Sequence, residues 1–217
     1  MKTYLFIALF AISTFSSSCR RFEQEKVVTK AEPYKPVNLY PIERLPSYFN
    51  RVVVLPCFHP DQDSPILEYA DEIFLQELNQ ERIFETIPIS TMQMKSLFGQ
   101  GRVSSSGNLP ENFLRVLEET TGANGAMIVD LTSFRPYRPM SIGVRAKLID
   151  LKSGEFMWAI DETFDAGHAS IQQSTAQFQE RSQVRALSAK TNGSVLHSPR
   201  VFTKFVASTL YSTLPYR

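Results

Sequence analysis

The chain has 217 residues, 43% of them hydrophobic and 21% charged, which is enough apolar material to close one ordinary core. Two cysteines exclude a multi-disulfide scaffold. With 23 Lys and Arg against 22 Asp and Glu the net charge is +1, so composition supplies no basic surface for nucleic acid.

In chain order, Met1-Lys2 precedes a mostly apolar run from Tyr4 to Phe15 and then Ser16-Ser17-Ser18-Cys19. A positive end, an apolar stretch of about a dozen residues and small residues before a cut site predict a signal peptide over residues 1–18, too short to span a bilayer. The mature chain is therefore expected outside the cytoplasm. The three small residues before Cys19 resemble the lipobox of bacterial lipoproteins, with Ser16 standing where Leu is usual. The resemblance implies cleavage before Cys19 and lipidation of Cys19. Ordinary cleavage in the Ser-rich stretch, leaving Cys19 free, is the other reading. The only other thiol is Cys57. If Cys19 carries lipid, Cys57 reads as a small buried hydrophobe beside Val52 to Leu55; if Cys19 is free, a Cys19 to Cys57 bridge is open.

Residues 19–50 carry Pro33, Pro36, Pro41 and Pro46 among polar residues and show little periodicity. They read as a lipid-anchored, Pro-rich tether extending at about 3 Å per residue, with Arg20-Arg21 against headgroups. Tyr34, Leu39, Tyr40 and Tyr48 equally allow an ordered arm packed along the domain.

The folded domain is placed at 51–217. Arg51-Val52-Val53-Val54-Leu55-Pro56 predicts a strand covered on both faces. Asp63-Ser64-Pro65 predicts a capped helix start, with Ile66, Ala70, Ile73, Phe74 and Leu78 inward and Glu68, Asp71, Glu72 and Glu77 elsewhere on the circumference. A strand over Arg82 to Ile87 and a short helix from Ser90 to Phe98 follow. Composition marks Gly99 to Asn108 as a mobile loop. A helix opening at Leu109-Pro110-Glu111 runs through Phe113, Leu114 and Leu117 and stops at Gly122. Three alternating runs come next. Ala126 to Phe134 is the most apolar. In the second, Ile142, Val144, Ala146 and Leu148 oppose Gly143, Arg145 and Lys147. In the third, Phe156, Trp158 and Ile160 oppose Met157, Ala159 and Asp161. Asp150-Leu151-Lys152-Ser153-Gly154 turns the second run onto the third, its Gly free to take a positive φ. A long, partly exposed helix is read from Gly167 to Lys190, broken at Thr191-Asn192-Gly193. Ser198-Pro199 caps a last helix whose stripe of Val201, Phe202, Phe205, Val206, Thr209 and Leu210 docks on the sheet. The fold class is α+β: strand, helix, strand, helix, helix, then an antiparallel meander of three strands, with C-terminal helices.

Arg51-Val-Val-Val-Leu-Pro, Thr121-Gly-Ala-Asn-Gly-Ala126, and Val144-Arg-Ala-Lys-Leu-Ile-Asp150 followed by Gly154-Glu-Phe-Met-Trp-Ala159 stand in an order that resembles the curli-secretion lipoprotein (CsgG-like) superfamily. Its relatives with the same core are the LpoB type of peptidoglycan-synthase activator and the amino-terminal domain of TolB. The resemblance covers about residues 51 to 165. It implies a lipid-anchored envelope protein acting by contacts and assembly, without chemistry of its own. Pore-forming members insert long amphipathic hairpins, and no pair of alternating segments of about ten residues is left here for that; the adaptor or activator role is the one implied.

Among residues with chemical potential, Cys57-Phe58-His59-Pro60-Asp61-Gln62-Asp63 puts a thiol, an imidazole and carboxylates directly after a buried strand. This loop supports the alternative of a small secreted enzyme or metal-binding protein using Cys57, His59 and Asp61. The spacing fits no metal or nucleophile signature. Gly122 to Gly125 lacks the Lys and Ser or Thr of a phosphate loop. Glu118-Glu119 and Asp161-Glu162 read as exposed charges, His168 and His197 as solvated, and Trp158 as core. Phe134, Arg135, Tyr137, Arg138 and Met140 surround two prolines at a turn and have the composition of an interface centre, so they are the candidate partner-binding residues. No catalytic residue, cofactor, metal or small-molecule substrate is expected. The partners expected are the membrane, through the lipid, and an envelope protein or further copies of this chain. The location expected is the cell envelope, facing the periplasm, with the outer membrane preferred because the Asp retention signal does not follow Cys19.

Overall fold

A computed structural model describes residues 32–40, 43–185 and 195–216. The signal peptide, Cys19, the first part of the tether and the break at 191–193 lie outside the described residues. Six strands form one mixed sheet: β1 (Leu39–Tyr40), β2 (Arg51–Val54), β3 (Glu85–Pro88), β4 (Gly125–Arg135), β5 (Ser141–Asp150) and β6 (Phe156–Asp165), in the order β1-β6-β5-β4-β2-β3. β2 runs parallel to both β3 and β4, whereas β4, β5, β6 and β1 are antiparallel. Among the described residues five α-helices pack on it: α1 (Ala70–Glu81), α2 (Thr91–Phe98), α3 (Phe113–Thr121), α4 (Ala169–Arg185) and α5 (Pro199–Tyr211). The architecture is the α+β arrangement expected. No helix among the described residues is long and apolar enough to cross a membrane.

The strand period sorts the core onto two faces. Val52, Val54, Met127, Val129, Leu131, Val144, Ala146, Leu148, Trp158 and Ile160 point to one face, where α1, α4 and α5 cover them with residues such as Phe74, Ile171, Phe202 and Phe205. Val53, Ala126, Ile128 and Ile149 point to the other, where α2 and α3 bring Met94, Phe113 and Leu117. Central β2 is thus covered on both sides. The stripe on α5 closes the first face, with Phe202, Phe205, Val206 and Leu210 buried. Trp158, 0% exposed, donates its indole N–H to Thr213 Oγ1 at 3.1 Å.

Several expectations are corrected. The helix at Pro65 is two pieces: a 3-10 turn over Pro65–Glu68, then α1 from Ala70, separated by Tyr69 at φ −136°, and Ser64 makes no side-chain cap. Glu77 is not on the outer circumference; it is 3% exposed and faces Lys204 Nζ at 3.5 Å, because α5 packs over that side of α1. α3 starts at Phe113, after Asn112 at φ 56°, and stops at Gly122 at φ 63°. In β6, Phe156 does not share a side with Trp158. Leu148 pairs with Trp158 but Ile149 pairs with Phe156, so Met157 is an extra residue and the bulge turns Phe156 to the second face.

The described part of 19–50 is an arm of the domain. Leu39 and Tyr40 pair with Ile160 and Ala159 as the sheet's edge. Tyr34 packs its ring 5.2 Å from that of Phe164 and donates its hydroxyl to Glu162 Oε2 at 2.6 Å. Phe49 is 0% exposed and lies across Gly125. The fold therefore takes in residues well before 51. The reason is that Glu162, read as an exposed charge, accepts from Tyr34 and from the Val37 and Asn38 amides.

Candidate contact surface

α2 and α3 cover the β2, β3 and β4 part of the second sheet face and reach Ile149 at the end of β5, while the loop after α2 lies over Arg145 and Lys147 farther along β5. That loop is not a free one. Val103 is 3% exposed, and Ser104 Oγ, Ser105 N and Ser105 Oγ donate to the carboxylate of Asp130 on β4 at 2.9 to 3.0 Å. Asp130 itself is 3% exposed. Arg102 reaches the other way, donating to both carboxylate oxygens of Asp71 and to the Cys57 carbonyl. Residues 102–106 form a strap tied at one end to α1 and β2 and at the other to β4.

Beneath and beside the strap, Asp130, Arg145 and Asp161 are register partners across β4, β5 and β6. Opposite charges in directly facing positions support one another. Arg145 donates from Nε to Asp161 Oδ2 at 2.7 Å and from Nη1 to Ser106 Oγ at 2.9 Å. Lys147 donates to the Ser105 carbonyl at 2.6 Å and lies 5.3 Å from the centroid of the Phe156 ring. The charged groups of this face are thus held by one another or by the strap. The aromatics are the part that faces water: Phe156 is 46% exposed and Tyr40, on the neighbouring edge strand, 58%.

The residues singled out at the turn separate. Tyr137 is 80% exposed and Arg138 is exposed beside it. Arg135 is held by the Pro139 carbonyl at 2.7 Å and Asp165 at 3.0 Å. Phe134 is half-buried against the first core face. Met140 is 2% exposed, so its place as a surface contact is corrected: it follows the turn into the core at the head of β5.

The Cys57-to-Asp63 loop does not assemble a thiol, an imidazole and a carboxylate into one site. Cys57 is free, 2% exposed and packed in the first core face, where burial, reinforced by Asp71, pushes its thiol well up. A protonated thiol is a poor nucleophile and metal ligand. His59 accepts at Nδ1 from the Asp61 amide at 3.0 Å, and Asp61 Oδ1 accepts from the Asp63 amide at 3.0 Å, so both shape the turn. Among the described residues no three His, Cys, Asp or Glu side chains stand close enough to hold a metal ion.

The strap was the feature hidden from the sequence. A run of three serines reads as loop, and its only signal was a lone Asp130 in an otherwise apolar strand. A buried carboxylate there requires donors from elsewhere.

No family model and no curated protein matches the chain. Solved structures do. The PelC dodecamer from Paraburkholderia phytofirmans is similar with a TM-score of 0.50 at 13% identity, over 82% of this chain and 96% of that one. Lipoprotein GNA1162 from Neisseria meningitidis is similar with a TM-score of 0.45 at 12% identity, over 63% and 99%. The LpoB C-terminal domain from Escherichia coli is similar with a TM-score of 0.36 at 14% identity, over 53% and 82%. At these identities the likeness is one of fold. The chain has the fold of the PelC structure.

Proposed function

We propose that this chain is a non-enzymatic, lipid-anchored protein of the bacterial cell envelope, facing the periplasm from the outer membrane and working by protein contact and assembly. The observation that carries this reading is a division of labour among its side chains. Groups with chemical potential hold the fold: Cys57 is buried, His59 shapes a turn, Asp130 is bonded by the strap, and Arg145 is bonded to Asp161. Aromatic side chains are among those left toward solvent: Tyr40, Tyr137 and Phe156. Aromatics beside arginines on a rigid sheet have the composition of an interface centre.

The PelC structure that shares the fold is a dodecamer, which supports self-association as the form the contact takes. Cys19 is the anchor in this reading, and the turn carrying Phe134, Arg135, Tyr137 and Arg138 is a contact site for an envelope partner. The test is the intact mass of the mature protein extracted from envelopes in detergent, with its size measured by light scattering. A mass above that of residues 19–217 by a diacylglyceryl or triacyl increment, lost with the cleavage in Cys19→Ala, is expected. An unmodified chain sinks the anchor, and a monomer at all concentrations sinks self-association.

A further inference from the structure

A cleft of about 230 Å³ lies where the arm crosses α4 and α5. The Tyr34 amide fixes the arm there by donating to Ser174 Oγ on α4 at 2.7 Å, so the walls are held in place without a ligand. Phe178 and Phe205 line it, their rings packed edge to face with centroids 5.8 Å apart. The charge of the lining is one-sided. Lys35 of the arm and Arg181 of α4 both line it, neither has a hydrogen bond or ion pair among the described residues, and no described lining residue is acidic. We propose that this cleft binds a phosphate monoester, with the phosphate held between Lys35 and Arg181.

The neutral groups of the cleft point the same way. On and just after α5, Thr203, Ser212 and Thr213 turn their hydroxyls back to the carbonyls of Pro199, Thr209 and Leu210 at 2.7 to 2.9 Å. Ser208 and Thr209, the hydroxyls of α5 that line the cleft, make no such bond among the described residues, and neither does the side-chain amide of Gln177. All three are half-buried, so their donors are met by water or by a ligand in the cleft. Two cations from different elements and a set of neutral donors therefore converge on one small space.

The donor set suits phosphate better than carboxylate. A phosphate monoester carries a charge of about −1.5 to −2 and three strong acceptor oxygens, enough to engage both cations and the hydroxyls together. A carboxylate has one charge and two oxygens. Glu162, the carboxylate bound by the arm, already accepts from the Tyr34 hydroxyl and from the Val37 and Asn38 amides, which share its charge. The cleft is smaller than the roughly 300–1,000 Å³ of pockets that enclose drug-sized molecules, so it takes a small ester or the head of a larger one. Two sources supply that chemistry: a soluble sugar or glycerol phosphate, and a phospholipid headgroup. Neither the anchor nor self-association enters the site.

The test is calorimetric titration, at two temperatures, of the full mature chain in a neutral detergent with glycerol 3-phosphate, glycerol and acetate. Saturable binding of glycerol 3-phosphate is expected, with none of glycerol and about tenfold weaker binding of acetate. Lys35→Ala and Arg181→Ala are each expected to weaken binding of the phosphate about tenfold and Ser208→Ala about threefold, with unfolding midpoints unchanged for the two exposed cations. Arg181→Lys should restore part of what Arg181→Ala loses. Mixed micelles containing phosphatidic acid separate the sources: binding tighter than that of glycerol 3-phosphate supports the site with a lipid headgroup in it, and equal or weaker binding supports it with a soluble ester. Acetate binding as tightly as glycerol 3-phosphate would overturn the choice of phosphate. Phosphate binding that both cation variants leave unchanged would overturn the cleft as its site, and no binding of either phosphate probe would overturn the proposal outright.

Discussion

Arg102 of the strap grips Asp71 of α1 with both arms of its guanidinium, Nη1 to Oδ1 at 3.0 Å and Nη2 to Oδ2 at 2.9 Å, while Asp71 Oδ1 also accepts the Cys57 amide at 2.7 Å. One ion pair thus fixes the end of β2, the first turn of α1 and the start of the strap. Arg102 is 15% exposed at its side chain and Asp71 39%, so solvent screens part of the pair. Arg102→Ala and Asp71→Ala are each expected to lower stability by about 1–3 kcal/mol, with a coupling of about 1 kcal/mol in the double variant. Urea unfolding read from Trp158, the only tryptophan, measures both. Additive losses would mean that the pair does not act as a unit.

The other end of the strap depends on a carboxylate surrounded by donors. Asp130→Asn keeps the shape but turns an NH₂ toward Ser105 N–H or the serine hydroxyls. A loss of about 1–3 kcal/mol is expected, from a buried donor left without an acceptor. Limited proteolysis between Gly99 and Asn108 should accelerate at the same time. Unchanged cleavage there would show that Asp130 does not hold the strap.

Gly125 begins β4 where the ring of Phe49 crosses it. A Cβ at Gly125 would stand 2.1 Å from Phe49 Cζ, and Phe49 is fully buried, so the ring has no free space to enter. Gly125→Ala is expected to destabilise by about 3 kcal/mol. Adding Phe49→Leu should recover part of that loss, which the unfolding midpoint of the double variant against the two singles would show.

At the β5 to β6 turn, burial pushes the Asp150 carboxyl up, but bonds from the Ser153 amide, the Tyr48 hydroxyl and the Lys152 amide outweigh it and hold the group below its ordinary value. A group lowered on folding binds fewer protons in the folded state. Its contribution is therefore complete above the ordinary carboxylate range, near pH 4, and is lost as pH falls through the folded value. Unfolding measured from pH 6 downward should show a smaller acid-induced loss in Asp150→Asn than in the parent, together with lower stability of the variant at pH 6. Parallel curves would remove Asp150 as a source of acid sensitivity.

The three-strand meander, the two-sided β2, the stop at Gly122, the turn at Gly154 with φ 74° and the apolar stripe of α5 were all legible in the amino-acid order. Each is written by neighbours within a few residues: a period of two or 3.6, or a turn residue at a fixed offset. Cys57 as a buried hydrophobe and Trp158 as core followed from their place in such runs. The fold-level resemblance was legible for the same reason, being an order of local signals.

Tertiary structure alone decided what faces what. Glu77 sits on α1 as an ordinary outer charge until α5 lies over it. Glu162 is an exposed carboxylate until Tyr34, Val37 and Asn38 of the arm bring it their donors. Two bulges, at Thr132 and Met157, shift the strand period by one, and the second turns Phe156 from the core face to the open face. The strap exists only because Asp71 and Asp130, far apart in sequence, present carboxylates to one short loop. These outcomes depend on partners tens of residues away, which no local periodicity records.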